Sequence, residues 1–251
     1  MHAILKCSRP ADILLIGLDD TDSEASRGTG HLARLLAAEC ARRGLAPRGV
    51  TRHQFLVDPR IPYTSHNSGA CVAVESGGGG GGAEAAALAL DFVARRAAPG
   101  SDPAVCVAPA AAVPPQVMAF GREATRRVLE VAEALDLAQR AGLALQPLGG
   151  SGLGVIGALA SVGLRAEGEC GRFIDLLRLR ELPRRVTLDV LVRLGIRVES
   201  PGGGRDPAAT DACETMGWLR PRLVGGEPVL PVQWSGQHDA WVPVDRKHAQ
   251  P

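Results

Sequence analysis

The chain of 251 residues is 45% hydrophobic and 22% charged, with a formal net charge of +1; that composition excludes a disordered chain and gives no global electrostatic pull toward nucleic acid. Only 3% of residues are aromatic, so the base-stacking platforms of single-strand RNA binders are scarce. Six cysteines, Cys7, Cys40, Cys71, Cys106, Cys170 and Cys213, form no C-x-x-C pair, which argues against zinc ribbons and redox motifs and reads as buried or half-buried free thiols.

Residues 1–11 lack the apolar run of a signal peptide and no stretch is long enough to span a membrane, so a soluble, cytoplasmic protein of two intimate domains is expected. Ala11 to Leu18 is a β-branched and leucine-rich run ending in an acidic turn, the pattern of a buried strand feeding a loop. From His31 to Gly44, Leu32, Leu35, Leu36 and Cys40 recur at three and four residues, which predicts an amphipathic helix stopped by glycine. Val50 to Val57 reads as a second strand, Asp58 to Gly69 as a polar loop with two prolines, and Ala70 to Glu75 as a third strand.

Ser76 precedes six consecutive glycines, Gly77 to Gly82, read as a flexible loop because a phosphate cradle needs glycine at selected positions only. Ala83 to Ala97 is helical by its alanine and leucine content, and Ala104 to Ala108 is a short strand. Pro114 to Gln139 reads as one long helix with both prolines in its first turn. After Leu143 to Leu148, the glycine-rich Gly149 to Gly154 opens into the apolar Val155 to Val162, a loop-to-helix entry of the kind that faces anions. Gly171 to Leu179 is strand in part, Arg185 to Val198 fits helix or strand, and Leu219 to Val244 is a punctuated β-like tail.

Four segments carry chemistry. Asp19, Asp20 and Asp22, with Thr21 and Ser23, place three carboxylates within four residues. Their repulsion is relieved either by a hard cation such as Mg²⁺ or by hydrogen bonds in a capped turn. Arg27-Gly28-Thr29-Gly30-His31 precedes a helix, where Gly28 and Gly30 admit a phosphate and Thr29 offers a hydroxyl; a simple helix entry is the bland reading. In the loop from Asp58 to Ala70, Pro62, Tyr63, His66, Asn67, Ser68 and Gly69 suit a substrate-contacting segment or a solvated connection. Gly152-x-Gly154-x-x-Gly157 satisfies a dinucleotide fingerprint without its βαβ context, and reads as a close-packed loop and helix that could face phosphate. No P-loop, nucleophile elbow or H-E-x-x-H is present.

Together these segments resemble the archaeal agmatinylcytidine synthetase family that joins agmatine to a cytidine of an isoleucine tRNA using ATP. Gly17-Leu18-Asp19-Asp20-Thr21-Asp22-Ser23 is similar to its Gly-x-Asp-Asp-Thr-Asp-Ser turn, and Asp58-Pro59-Arg60-Ile61-Pro62-Tyr63 to its Asn-Pro-x-Ile-Pro-Trp segment. The stretch from Gly154 to Gly163 is similar to its Gly-Leu-Ile-Gly-Ala-Leu-Ala-Ala-Ile-Gly, and Thr210 to Val232 is a weaker echo. The resemblance implies an α/β (α+β) fold in which a kinase-like domain, residues 1–75 and 140–180, is intertwined with a ferredoxin-like domain, residues 76–139 and 181–251. It also implies that Asp19, Asp20 and Asp22 hold Mg²⁺ and phosphates, that Gly17, Thr21, Ser23, Gly28 and Gly30 shape the nucleotide turn, and that Gly152 and Gly154 approach the nucleotide. Thr29 stands in for the family's reactive threonine. The family's Lys-Thr-Arg-Gly-Asn-Gly is here Thr64-Ser65-His66-Asn67-Ser68-Gly69, with both cations lost, and no counterpart of the family's OB-fold and zinc ribbon is expected within these residues.

The expectation is an ATP- and Mg²⁺-dependent phosphotransferase or ligase-like, tRNA modification-like enzyme with an unidentified acceptor, tRNA being possible but not favoured. The alternative is a non-catalytic nucleotide- or RNA-binding module that keeps the scaffold. Bare RNA binding would need a local basic face such as Arg178, Arg180, Arg184 and Arg185, which equally reads as a solvated charged surface.

Overall fold

A computed structural model describes residues 13–64, 66–75, 81–176, 179–202 and 205–244; Cys7, Ser65, Ser76, Arg178 and residues 77–80 of the glycine run lie outside them. In chain order, the first part comprises β1 (Ile13–Asp19), α1 (Thr29–Arg42), β2 (Ala46–Gln54), β3 (Ser68–Glu75), α2 (Gly81–Arg96), β4 (Ala104–Pro109), α3 (Pro115–Ala124), α4 (Val131–Ala141), β5 (Ala144–Pro147) and α5 (Gly154–Glu167). The second part comprises β6 (Arg172–Asp175), β7 (Arg185–Thr187), α6 (Leu188–Arg193), β8 (Arg197–Glu199), β9 (Ala212–Glu214), β10 (Arg222–Val224), β11 (Glu227–Ser235) and β12 (Ala240–Pro243).

Strand β1 is apolar on both faces, so it can lie only inside a sheet covered on both sides. It pairs antiparallel with β3 and with β4 at the heart of a twelve-stranded mixed sheet of order β5-β4-β1-β3-β2-β6-β10-β11-β12-β9-β7, with β8 alongside β11. On one face, Leu14, Ile16, Leu18, Val72 and Val74 pack against α1 and α2. On the other, Leu15, Cys71, Ala73 and Cys106 pack against α3, α4 and α5. A third core, with Phe173, Leu191, Ile196, Leu223 and Trp241, closes the C-terminal strands over α6. The fold is therefore mixed α/β, with helices on both faces of one large sheet. Cys40, Cys71, Cys106 and Cys213 are buried free thiols and Cys170 is half-buried. Among the described residues no helix is long and apolar enough to cross a membrane.

Two sequence expectations change. The helix expected from Pro114 to Gln139 is two helices, because the first ends at Ala124 with Thr125 as its C-cap and the second starts at a capping box made by Glu130 and Glu133. Arg127 holds the break by pairing with Glu123 on one side and Glu133 on the other, while the amide of Leu56 takes the carbonyl of Ala124 at 2.9 Å. The ambiguous stretch from Arg185 to Val198 is neither one helix nor one strand; β7, the six-residue α6 and β8 share it.

Helix α5 approaches the sheet unusually closely. A methyl group added at Gly17 would collide with the carbonyl of Ala158, one at Gly69 with Ser161, and one at Gly157 with the carboxyl of Asp19. On the opposite side of the helix, Gly163 meets the carbonyl of Val117 and Gly121 of α3 meets the carbonyl of Ala160 in the same way. These glycines supply absence of bulk, and backbone carbonyls cannot yield as a flexible side chain would.

Gly17→Ala is expected to destabilise the protein by about 2–3 kcal/mol in urea unfolding, whereas Gly82→Ala, which meets nothing within 4 Å, is expected to cost nothing. His53 is fully buried on β2, its Nε2 2.8 Å from the Thr51 hydroxyl, and burial pushes its pKa down to about 3. The unfolded chain takes up a proton near pH 6.5 that the folded chain refuses. Stability is thus full above pH 6.5 and falls as pH drops toward 3; unfolding midpoints measured across that range should fall less steeply in His53→Asn.

Candidate functional site

The C-terminal end of β1 delivers Asp19 and Asp20 to the edge of the sheet. The chain must turn there to reach α1 on the neighbouring layer. Asp20 makes that turn with a φ of 51°, a left-handed conformation that aspartate tolerates better than most residues with a side chain. Asp22 then ties the turn to its surroundings. One carboxylate oxygen accepts from the Thr29 amide at 3.1 Å and from its hydroxyl at 2.9 Å, and the other accepts from the Thr64 hydroxyl at 2.7 Å. The buried hydroxyl of Thr21 donates to Thr29 Oγ1 at 3.1 Å, and the exposed turn closes through Ser23 and Ser26. The capped-turn reading therefore describes Asp22. At Asp19 and Asp20 the bond from the backbone of Asp20 and of Asp102, respectively, is outweighed by burial.

Asp19 lies beneath Gly157 of α5, and burial pushes its carboxyl up to about 8, with the charges of Asp20 and Asp22 adding to the shift. Asp20 is raised by burial and then by the neighbouring charges of Asp102 and Asp22. A fourth carboxylate in that neighbourhood was not singled out by sequence. Asp102, just before β4, accepts the backbone amides of Ser151, Gly152 and Leu153 at 3.0, 2.8 and 3.1 Å, and the Ser151 hydroxyl as well. Burial alone would raise Asp102, but these donors together hold it below the usual carboxylate range. Gly152 has a φ of +85° and no close neighbour for a Cβ, so its role is to aim an amide at Asp102. Gly154 is packed against the backbone of Asp102 and Ala104.

A cavity opens over this turn. Its polar floor is Asp19, Asp20, Asp22 and Thr29, and its walls come from the loop residues Ile61, Pro62, Tyr63, His66, Asn67 and Ser68, from Phe55, from Val128 and Leu129 at the α3–α4 break, and from Ile156 and Gly157 of α5. The three segments that carried the resemblance, spread from Gly17 to Gly163 in sequence, thus meet around one space. Tyr63 is exposed at the mouth, and Asn67 is pinned inside by donating to the carbonyl of Leu56 at 2.6 Å. Gly17 and Gly69 do not reach the cavity but lie under α5, and Gly28 and Gly30 line an adjoining recess beyond Thr29. Phe55, Val128, Leu129 and Asp102 escaped the sequence reading because the α3–α4 break and the loop that Asp102 caps are tertiary features. Of the basic face considered from sequence, Arg184 and Arg185 pair with Glu214 at the edge of the C-terminal strands, whereas Arg180 lines the recess beyond Thr29.

Among the described residues no three His, Cys, Asp or Glu side chains are grouped to hold a metal on their own. The donors at the turn are carboxylate oxygens on Asp19 and Asp20, crowded by like charge. That set fits Mg²⁺, which takes one or two carboxylates and fills its shell with water and phosphate oxygens. Asp102→Ala would leave three amides and a hydroxyl without their acceptor. It is expected to cost about 2–3 kcal/mol in denaturant unfolding and to open the loop before α5 to limited proteolysis.

No protein-family model matches the chain. Among curated proteins, the isoleucine-tRNA 2-agmatinylcytidine synthetases TiaS of Methanocorpusculum labreanum and Methanopyrus kandleri are 32% and 33% identical to it over 151 and 155 residues. Each match takes in 59% of this chain, and 34% and 33% of the respective relatives. Two solved structures agree: a tRNA fluorescent labeling enzyme, with a TM-score of 0.51 and 29% identity, and TiaS in complex with tRNA, AMPCPP and agmatine, with a TM-score of 0.51 and 26% identity. Each similarity covers 60% of this chain and 36% of the other. The chain resembles the N-terminal part of TiaS, and it spans about a third of the length of the curated relatives it matches.

Proposed function

We propose that, like the part of the TiaS enzymes it resembles, the chain binds ATP with Mg²⁺ over the acidic turn and uses it to phosphorylate or otherwise activate an acceptor. The observation that carries this reading is the convergence of the acidic turn, the Asp58–Gly69 loop and the start of α5 on one cavity. Its apolar walls suit a nucleoside and its carboxylate floor suits the metal that accompanies phosphates. The similarity adds support, since TiaS has been crystallised with AMPCPP and tRNA.

In this reading Asp19 and Asp20 offer oxygens to Mg²⁺, which when bound screens phosphate charge and aligns the transferred group. Asp22 orients Thr29 and joins it to Thr64 of the facing loop. The Thr29 hydroxyl already donates to a carboxylate, the pairing that activates an oxygen nucleophile. To accept a phosphoryl group, the Thr29 oxygen would give up a contact with Thr21 and bond to the phosphorus of ATP as the bond to the departing nucleoside diphosphate breaks, its proton passing to Asp22. Tyr63, His66, Asn67 and Ser68 face the same space and contact the acceptor or the base. An RNA acceptor is not disfavoured: the net charge of +1 that set it aside is an average, and the cations gathered beside Thr29 are hidden in it.

Calorimetry should detect ATP binding that requires Mg²⁺, and Asp20→Ala should weaken it at least tenfold while leaving the unfolding midpoint within a few degrees of the parent. Absence of both heat and thermal shift at saturating ATP and Mg²⁺ would reject the reading. Binding without turnover across candidate acceptors would instead identify a module that has kept the scaffold and lost the reaction.

A further inference from the structure

On the far side of Thr29 from the cavity lies a recess of opposite character. Arg34 of α1, Arg52 of β2, Arg180 and Arg220 line it, together with Trp218 and the glycines that open α1. These four guanidinium groups come from four separate places in the chain. Among the described residues none of them forms an ion pair. That sets them apart from the arginines at the rim of the nucleotide cavity: Arg60 is held bidentate by Asp58, and Arg127 by Glu123 and Glu133.

Their visible partners are neutral. Arg34 meets His31 Nδ1 at 3.1 Å, Arg52 donates to the Ser68 hydroxyl at 2.9 Å, and Arg180 donates to the Ile174 carbonyl at 3.1 Å. Arg180 and Arg220 also stack on Trp218, at 3.6 and 3.8 Å from the ring centre. Stacking fixes the plane of each guanidinium while leaving in-plane N–H groups for an anion. The carboxylates that face the group are Asp22, in the recess itself, and Asp175, whose charge is felt by Arg34 and Arg180. Two carboxylates against four guanidiniums leave the recess cationic. Burial and mutual repulsion disfavour the charge on Arg52 and Arg180, which is the condition an incoming anion relieves.

We propose that this recess binds a phosphate group of the acceptor, a phosphomonoester or phosphodiester, and so presents the acceptor to Thr29 from the side opposite the nucleotide. Arginine forks match tetrahedral phosphate oxygens, and four of them converge on this recess from separate elements. The two spaces share Asp22, Thr29, His66 and Ser68 as a common wall, so ligands in both would meet there. Naming the ligand an acceptor rests on the proposed function; the phosphate site itself does not.

The test is calorimetry on the full chain without nucleotide or Mg²⁺. The ligands are inorganic phosphate and a short oligoribonucleotide with and without a 5′-phosphate. Phosphate-bearing ligands should bind with an affinity that falls as salt rises, and the double variant Arg180→Gln/Arg220→Gln should weaken them at least about tenfold. Its unfolding midpoint and its Mg²⁺·ATP affinity should match the parent. Arg34→Gln, which removes one cation without touching the tryptophan stack, should weaken binding in the same direction. Tighter binding of the phosphorylated oligonucleotide than of inorganic phosphate identifies an RNA as the source of the group; equal binding identifies a small phosphorylated acceptor. Phosphate binding that is unchanged in both variants, or is absent from the parent, overturns the proposal. So does a matching loss of Mg²⁺·ATP affinity, which would assign the recess to the nucleotide's own phosphates. Asp20→Ala separates the two readings, because it should keep phosphate binding while losing ATP.

Discussion

Helix α5 lies against β1 and β3 with almost no side-chain layer between them, and this close approach sets the position of everything that follows. Gly17, Gly69 and Gly157 are the points at which backbone meets backbone or carboxyl. With Cβ atoms there, the helix would stand off the sheet and its first turn would no longer cover Asp19. The carboxyl of Asp19 is pushed up to about 8 by that cover, so the packing of an apolar helix is directly coupled to the ionisation of a site group. On the outer side, Gly121 and Gly163 bring α3 equally close, which places the α3–α4 break over the same cavity.

The groove has two electrical halves separated by a narrow ridge. On one side carboxylates crowd one another beneath apolar walls, and on the other guanidinium groups gather around an indole. Asp22, Thr29 and Thr64 form the ridge, hydrogen-bonded to one another rather than to anything in either half. Opposite potentials a few ångströms apart are expensive to maintain in water, yet a metal-bearing ligand and a bare anion would neutralise both at once. The arrangement favours two ligands over one, which is the requirement of a transfer reaction.

Much of this was legible in the sequence where the signal is local. The strand before Asp19, the helix after Gly30 and the glycine-rich entry to α5 each announce themselves through periodicity or a stop residue, and observed bounds differ from expected ones by a few residues. The α3–α4 break was not legible, because Val117, Phe120, Val128 and Leu129 keep helical spacing across it. What interrupts the helix is a tertiary bond from Leu56 to Ala124 and a capping box whose first residue is glutamate, a weak capping signal. The cationic recess was hidden for a different reason: Arg34, Arg52, Arg180 and Arg220 are isolated in sequence and form no run. One trace existed in the alternation of Trp218, buried Leu219 and Arg220, which puts the indole and the guanidinium on one side. The glycines of the Gly152 to Gly157 stretch were noticed for their likeness to a phosphate loop, and three different demands are in fact made on them: Gly152 aims an amide, Gly154 clears a strand, and Gly157 clears a carboxyl.

The loop that Asp102 fills has a consequence for direction. Two helices start beside the acidic turn, and each begins with amides of the kind that attract an outside anion. At α5 those amides are permanently supplied with a carboxylate from the protein's own chain. At α1 the Thr29 amide is likewise taken by a carboxylate, that of Asp22, so the negatively charged end of a ligand is drawn to the arginines of the recess rather than to a helix start. Direction along the groove is therefore set by side-chain charge, because Asp22 and Asp102 close the two helix entrances that would otherwise compete for the same anion.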